Sequence, residues 1–71
     1  MRKLESPADR FGKNLKALRM SLGMTAAELA KRAGMTPAAI SQIEAGKREP
    51  ILSTVVRIMD VIPVKFERLI E

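Results

Sequence analysis

The 71-residue chain contains no cysteine, histidine, tryptophan or tyrosine, and these absences exclude several classes of function. Without cysteine, neither disulfide bonds nor thiolate zinc ligands can supplement the core. Without histidine or cysteine, the commonest general bases, nucleophiles and metal ligands are missing, and the carboxylates fall at helix caps, in a pair or on the surface. We therefore expect no catalytic residues, no metal and no cofactor, and the sequence predicts that the protein is not an enzyme.

Aromatic residues and long apolar runs are also scarce. The two aromatics are Phe11 and Phe66, too few for the stacked platforms that bind single-stranded nucleic acid. No apolar run approaches the roughly 20 residues of a membrane span, and no secretory signal is present. These features predict a cytoplasmic protein with no membrane association.

The chain has an excess of positive charge. Thirteen Lys and Arg against eight Asp and Glu give a formal net charge of +5, with a pI near 10.3. This excess favours a polyanionic partner such as nucleic acid, although charge alone leaves an ordinary solvated surface equally open. Arg2 and Lys3 have two interpretations, a basic arm or a disordered terminus spanning residues 1–5. The length predicts one small domain, residues 1–71.

Cap and glycine signals divide the first two-thirds of the chain into three helices. Ser6 and Pro7 begin the first helix, and Gly23 ends it. Its apolar stripe favours core packing over a membrane or an acidic groove, because the rest of the chain supplies matching apolar faces. The stripe comprises Phe11, Leu15, Leu18 and Leu22, and the other faces carry Arg10, Lys13, Lys16 and Arg19.

The second and third helices begin at two threonine caps, about one helix length apart. Thr25 and Glu28 form a capping box, and Gly34 provides the left-handed stop. Thr36 caps the third helix, which starts at Pro37 and runs to about Ala45 before Gly46. We expect Leu29, Ala30, Ala33, Ile40 and Ile43 to face the core. Free amides at Thr25 and Ala26 would form a seat for a phosphate group.

The last third of the chain is strongly apolar and predicts two further helices. The fourth begins at Ser53 or the residue before it and breaks near Ile62 ahead of Pro63. The fifth lies within residues 64–71. No segment shows two-residue alternation, so the sequence predicts an all-α, five-helix fold without strands. The broad apolar face of the fourth helix comprises Leu52, Val55, Val56, Ile58, Met59 and Ile62, and the fifth contributes Phe66, Leu69 and Ile70.

These residues resemble the lambda-repressor-like, Cro/C1-type (XRE family) helix-turn-helix proteins from about Phe11 to Ile70. The similarity depends on the joint spacing of short matches, none of which is specific alone. The matches are Leu18-Arg19, Gly23-Met24-Thr25, Glu28-Leu29-Ala30, Gly34, Ile40-Ser41, Ile43-Glu44, Gly46, Arg48 and Pro50.

The resemblance implies a helix-turn-helix at about residues 25–45 and a function in binding double-stranded DNA. The helix Pro37–Ala45 would enter the major groove, while the preceding helix crosses the phosphate backbone. Arg19 and Glu44 would form a structural ion pair that orients the recognition helix. The residues expected at base edges are Thr36, Pro37, Ala38, Ser41 and Gln42, and those expected at phosphates are Thr25, Ala26, Lys47 and Arg48. Lys47 and Arg48 have the alternative of being ordinary solvated loop residues.

Two positions depart from the family pattern. Many relatives have a phosphate-binding glutamine where this chain has Ala26. The first turn of the recognition helix, Pro37-Ala38-Ala39, has no hydrogen-bonding side chain, whereas bidentate recognition of purines needs Asn, Gln or Arg. Sequence specificity would then depend on DNA shape, on dimerisation, or on base contacts by Lys47 or Arg48.

The apolar C-terminal third also predicts self-association. The leading hypothesis is a transcription regulator, such as a repressor, that binds operator DNA as a homodimer. The alternative is a protein-interaction module on the same fold, such as an antitoxin that binds a toxin partner. Restriction-modification controller, phage regulator and antitoxin are all compatible with the length. The expected dimer patch comprises Val56, Met59, Val61, Val64, Phe66 and Ile70.

Overall fold

The computed structural model describes residues 5–71, apart from the side chain of Phe66, so the predicted arm or disorder at Arg2 and Lys3 lies outside it. These residues form five α-helices and no strand, which confirms the predicted all-α fold. No helix in this range is long and apolar enough to cross a membrane. The helices are α1 (Pro7–Ser21), α2 (Ala26–Ala33), α3 (Pro37–Glu44), α4 (Leu52–Val61) and α5 (Phe66–Ile70).

Side-chain caps set the starts of the first three helices. The Ser6 hydroxyl accepts from the Asp9 amide at 3.1 Å, and the Asp9 carboxylate accepts from the Ser6 amide in return. Thr36 caps α3 by accepting from the Ala39 amide at 3.1 Å. Helix α4 begins at Leu52, the residue before Ser53, which is within the predicted start, and its N-cap Ile51 forms no side-chain bond.

Three helices end in the same glycine motif. At the end of α2, Gly34 has φ of 69° and its amide donates to the carbonyl of Lys31, while the Met35 amide donates to Ala30 at 2.8 Å. In this Schellman motif, the two amides bond to carbonyl oxygens of the last helical turn, and the chain changes direction within a few residues. The turn between α2 and α3 is therefore short and is held by two backbone hydrogen bonds. Gly23 and Gly46 end α1 and α3 in the same way.

The core lies where the helices meet, with α1 packed on α3 and α5, and α2 packed on α3 and α4. All the inward residues predicted for α2 and α3 are buried. Leu22 and Leu52 depart from their predicted faces, since Leu22 is 51% exposed and Leu52 is 78% exposed. Leu22 lies beyond the last turn of α1, and Leu52 is the first residue of α4, so neither follows the buried stripe of its helix. The core residues are Phe11, Leu15, Leu29, Ala30, Ile40, Ile43, Val55, Ile58, Ile62 and Leu69.

Helix α1 holds the ends of two other helices. At Gly12 the backbone of α1 lies against the C-terminal end of α3, so closely that a Cβ would stand 2.8 Å from the Glu44 carbonyl oxygen. Two residues later, Asn14 Nδ2 donates to the Leu69 carbonyl of α5 at 2.9 Å. The position of α3 is therefore set directly by the backbone of α1.

Candidate nucleic-acid interface

Helix α3 and its C-cap expose one continuous face to solvent. Ala38, Ser41 and Gln42 of the helix and the C-cap Ala45 recur at the i, i+3, i+4 and i+7 spacing of a single helical stripe, and all four are exposed. The opposite side of the helix is anchored by Ile40 and Ile43, which are fully buried in the core. An α-helix exposed along one side and fixed along the other has the shape that a DNA major groove admits.

The exposed stripe of α3 carries no charge. Its groups are two alanine methyls, the Ser41 hydroxyl and the Gln42 amide, and Thr36 and Pro37 at the helix start are exposed beside it. Neither Ser41 nor Gln42 has a side-chain acceptor or donor partner among residues 5–71 apart from solvent. Both polar groups are therefore available to a ligand.

The charged residue of α3, Glu44, is paired with Arg19 of α1. Arg19 Nε donates to Glu44 Oε2 at 2.7 Å and Nη2 donates to Oε1 at 3.0 Å, with side-chain exposures of 11% for Arg19 and 7% for Glu44. The hydrogen bond to Glu44 raises the pKa of Arg19. Because this bidentate pair neutralises the carboxylate, α3 presents no net negative charge to a polyanion.

Arg19 also holds the start of α2. Its Nη1 donates to the carbonyl oxygen of Met24 at 2.7 Å, immediately before the N-cap Thr25. One guanidinium therefore joins α1, the beginning of α2 and the end of α3. No buried side-chain nitrogen or oxygen in the described residues lacks a hydrogen-bond partner.

The N-terminus of α2 is less open than the sequence predicts. The Thr25 amide is not free, since it donates to Glu28 Oε1 at 3.1 Å, and the Thr25 hydroxyl accepts from the Glu28 amide at 3.0 Å. The bond from the Thr25 backbone lowers the pKa of Glu28 and keeps it ionised. Half-buried Ala26 has the first helical amide, and no partner for it lies within residues 5–71. The amide available at this end of α2 is therefore that of Ala26 and not that of Thr25.

The loop after α3 is an ordered extension of that helix. Gly46 has φ of 73°, and the Lys47 amide donates to the Gln42 carbonyl at 2.9 Å. A Cβ at Gly46 would lie 3.2 Å from Asp9 Cγ, so the loop also packs closely on α1. Lys47 and Arg48 follow with exposed side chains and form no ion pair with the described residues. Their charges are available to an external anion.

One further cation, Lys16, was not assigned to the site from the sequence. It lines a surface depression between the middle of α1, the start of α2 and the exposed face of α3. Lys16 lies three residues before Arg19 and so extends along the same side of α1, a spacing that could have identified it. The depression is lined by Lys16, Arg19, Ala26, Ser41, Glu44 and Ala45.

The residues expected to form a dimer patch do not share one exposed surface. Met59, Val61 and Val64 are half-buried and pack against the core, while Val56 and Ile70 are exposed. The side chain of Phe66 lies outside the description. The most exposed apolar residues of the C-terminal third are instead Ile51, at 69%, and Leu52, at the start of α4. The sequence placed Leu52 on the buried face of the fourth helix, and it gave no prediction for Ile51, which lies before that helix.

Comparisons with known proteins agree with this arrangement. The helix-turn-helix family HTH_3 matches residues 15–69, which is most of the chain. Two solved structures of the clp gene regulator ClgR from Corynebacterium glutamicum have the same fold. One has a TM-score of 0.86 and 20% identity over 92% of this chain and 69% of that chain. The other has a TM-score of 0.91 and 18% identity over 99% and 90%.

A third solved structure is similar over a comparable length. The restriction-modification controller protein C.AhdI from Aeromonas hydrophila has a TM-score of 0.82 and 22% identity, over 87% of this chain and 94% of that chain. No curated protein sequence gives a significant match. At these identities the structural likeness shows the fold of the chain.

Proposed function

The chain belongs to the helix-turn-helix family, and from that premise we propose that it is a transcription regulator that inserts α3 into the major groove of operator DNA. The main support for this proposal is the surface around α3. The exposed stripe of this helix is uncharged, its one carboxylate is neutralised by Arg19, and the unpaired cations Lys16, Lys47 and Arg48 lie on neighbouring elements. Such a surface fits a groove bordered by phosphates.

Phosphate contacts supply the affinity in this proposal. Lys47 and Arg48 would contact the backbone beyond the C-terminal end of α3, and Lys16 with the Ala26 amide would contact it near the start of α2. Each neutralised phosphate releases counterions, so the binding constant falls as salt rises. We also propose that the protein acts in the cytoplasm, as the sequence predicts, and that it represses transcription by occupying the operator.

The proposal also includes a homodimer. One helix-turn-helix unit buries little surface on DNA, and two units on half-sites about one helical turn apart double the contacts. Exposed Ile51, Leu52 and Val56 support self-association, because a monomer otherwise leaves this apolar surface in water.

A gel-shift series tests the proposal. The full chain is titrated onto duplex DNA from candidate promoter regions at several salt concentrations. We expect binding that weakens steeply as salt rises, and competitor DNA of unrelated sequence should displace the protein less effectively than the promoter itself. Absence of binding at low salt, or binding indifferent to salt, would contradict DNA binding.

A second candidate function is a protein-interaction module, such as an antitoxin, on the same fold. The exposure of Ile51 and Leu52 favours it, since a partner protein would cover these side chains as well as a second copy would. Affinity purification from the native host distinguishes the two. A stoichiometric protein partner is expected only if the chain is an interaction module.

A further inference from the structure

We infer that α3 recognises A·T base pairs, through the C5-methyl groups of thymine and one adenine, and does not recognise G·C pairs. This inference depends on the proposed function and names the base pairs that the interface selects. It follows from the chemistry and spacing of the exposed stripe Ala38, Ser41, Gln42 and Ala45.

The stripe places methyl groups on both sides of one amide. Ala38 lies four residues before Gln42 and Ala45 three residues after it, which is about 6 Å and about 4.5 Å along the helix axis. Successive base pairs are about 3.4 Å apart. These separations are of the order of one or two base steps, so the methyl groups and the amide would meet neighbouring bases of one half-site if α3 lies along the groove.

The Gln42 side chain is the group suited to adenine. A glutamine amide can both accept from adenine N6 and donate to N7, which distinguishes adenine from the other bases in the major groove. The amide has no partner among the described residues, and the Gln42 carbonyl is fixed by the Lys47 amide at 2.9 Å. The side chain therefore extends from a fixed backbone into the space that a base edge would occupy.

The alanine methyl groups are suited to thymine. The C5-methyl of thymine is the one apolar group in the major groove, and small apolar side chains contact it. Ala38 and Pro37 are exposed at the first turn of α3, and the buried residues Ala39 and Ile40 hold that turn against the core. Because no long side chain stands between this turn and the DNA, its methyl groups can approach the groove floor.

The stripe lacks the charged groups that select G·C pairs, and the Ser41 hydroxyl can bond to either kind of base pair without selecting one. Guanine is contacted by arginine or lysine, and cytosine by a carboxylate. Glu44, the carboxylate of α3, accepts hydrogen bonds from Arg19 at 2.7 Å and 3.0 Å. If Glu44 turned toward a base, the nearly buried charge of Arg19 would lose its partner. Lys47 and Arg48 lie beyond the end of the helix, where phosphates are the nearer anions.

The test removes methyl groups from the DNA rather than from the protein, so folding is unaffected. Binding sites are first selected from a random duplex pool with the full chain. Each thymine of the selected half-site is then replaced singly by uracil, which lacks only the C5-methyl. We expect about fourfold weaker binding for each contacted thymine, the value of one buried methyl group. Uracil outside the selected half-site is the matched control and should leave affinity unchanged.

A variant tests the adenine contact separately. Gln42→Ala should lose the preference for adenine at one position, about tenfold or more, while binding to unrelated duplex DNA stays the same. Ser21→Ala, an exposed position at the end of α1 outside the stripe, is the control and should retain that preference.

Three results would overturn the inference: a selected site dominated by G·C pairs, no enriched site, or uracil substitutions without effect. In each case salt-dependent binding to duplex DNA could persist, and the proposed function would then stand without this specificity. A chain that binds no duplex DNA at low salt would instead remove the proposed function itself.

Discussion

Arg19 is the residue on which the geometry of the interface most depends. Its guanidinium binds both oxygens of Glu44 and the carbonyl of Met24, so it fixes the end of α3 and the approach to α2 together. The resemblance to Cro/C1-type proteins implied the pair with Glu44. The bond to Met24 could not be predicted from residue types, because it depends on the path of the backbone between α1 and α2.

Replacing Arg19 with methionine should destabilise the protein by about 3 kcal/mol, because Glu44 would be left with little solvent and no partner. We place the effect at the low end of the range for buried pairs, since Arg19 lies at the edge of a small core. Urea unfolding monitored by circular dichroism measures it.

The double variant Arg19→Met with Glu44→Leu is the control for the stranded charge. It should recover a large part of the lost stability, because no buried charge remains. Equal stability of the Arg19→Met variant and the wild type would contradict a structural role for the pair.

Glu28 makes the stability of α2 depend on pH. Its pKa is lowered by the bond from the Thr25 backbone, so its contribution is fully present above the ordinary glutamate pKa of about 4.3 and is lost as the pH falls through the lowered value. Wild-type stability should therefore decline below about pH 4 more than that of Glu28→Gln. Thermal unfolding of both proteins between pH 7 and pH 3 measures the difference. Identical pH profiles for the two proteins would show that the Glu28 carboxylate does not cause the pH dependence.

At the scale of the elements, the crossing of α1 and α3 allows no added atom at Gly12. In an ordinary helical position, alanine is about 1 kcal/mol more favourable than glycine. At Gly12 the new Cβ would stand 2.8 Å from the Glu44 carbonyl oxygen, so overpacking by about 1–3 kcal/mol should reverse the sign. We expect Gly12→Ala to lower both the free energy of unfolding and DNA affinity, since α3 must move.

Ala17→Gly is the matched control, because Ala17 is an exposed position of the same helix. It should cost about 1 kcal/mol of stability through helix propensity and leave DNA affinity unchanged when measured on folded protein. Stabilisation by Gly12→Ala would show that α1 and α3 are not in close contact at this point.

Helix boundaries were predictable wherever the signal is local. Ser6, Thr25 and Thr36 cap the helices that they precede, because a cap depends on residues within one turn. The start of α4 was predicted only to within one residue, since its N-cap Ile51 forms no side-chain bond. Leu22 fits the 4-3-4 apolar spacing of α1 but lies past its last turn, and spacing alone does not show where a helix stops covering the core.

At the scale of the whole molecule, the exposed apolar surface determines the assembly that we propose. Leu52 is 78% exposed, so Leu52→Glu should change the stability of the monomer by no more than about 0.5 kcal/mol. It should nevertheless dissociate the dimer, because a charge would be buried between the copies. Sedimentation equilibrium measures the mass of both proteins.

Met20→Glu is the control for an added surface charge, since Met20 is also well exposed, at 61%, but lies at the end of α1. It should leave the dimer intact. The homodimer would be contradicted if the wild-type protein sediments as a monomer at micromolar concentration and also binds DNA as a monomer.

The interface could be predicted only in part from the sequence. Local caps and periodicity place Thr36, Pro37, Ala38, Ser41 and Gln42 on the exposed start and face of α3. The association of Lys16 with Ala26 and Ser41 depends on how three helices pack, and no local pattern encodes it. The occupied amide of Thr25, in contrast, follows from the local capping box with Glu28, and that predicted box already excluded a free amide at Thr25.

The salt dependence of DNA binding by two charge-matched double variants tests the DNA-binding interface most directly. Lys47→Ala with Arg48→Ala removes two cations beside α3, whereas Lys65→Ala with Arg68→Ala removes one lysine and one arginine around α5, which packs against α1. The first variant should reduce the slope of log K against log salt by about 2 for each bound protomer, and the second should leave it unchanged. Equal slopes for the two variants would contradict an interface built on α3 and its following loop.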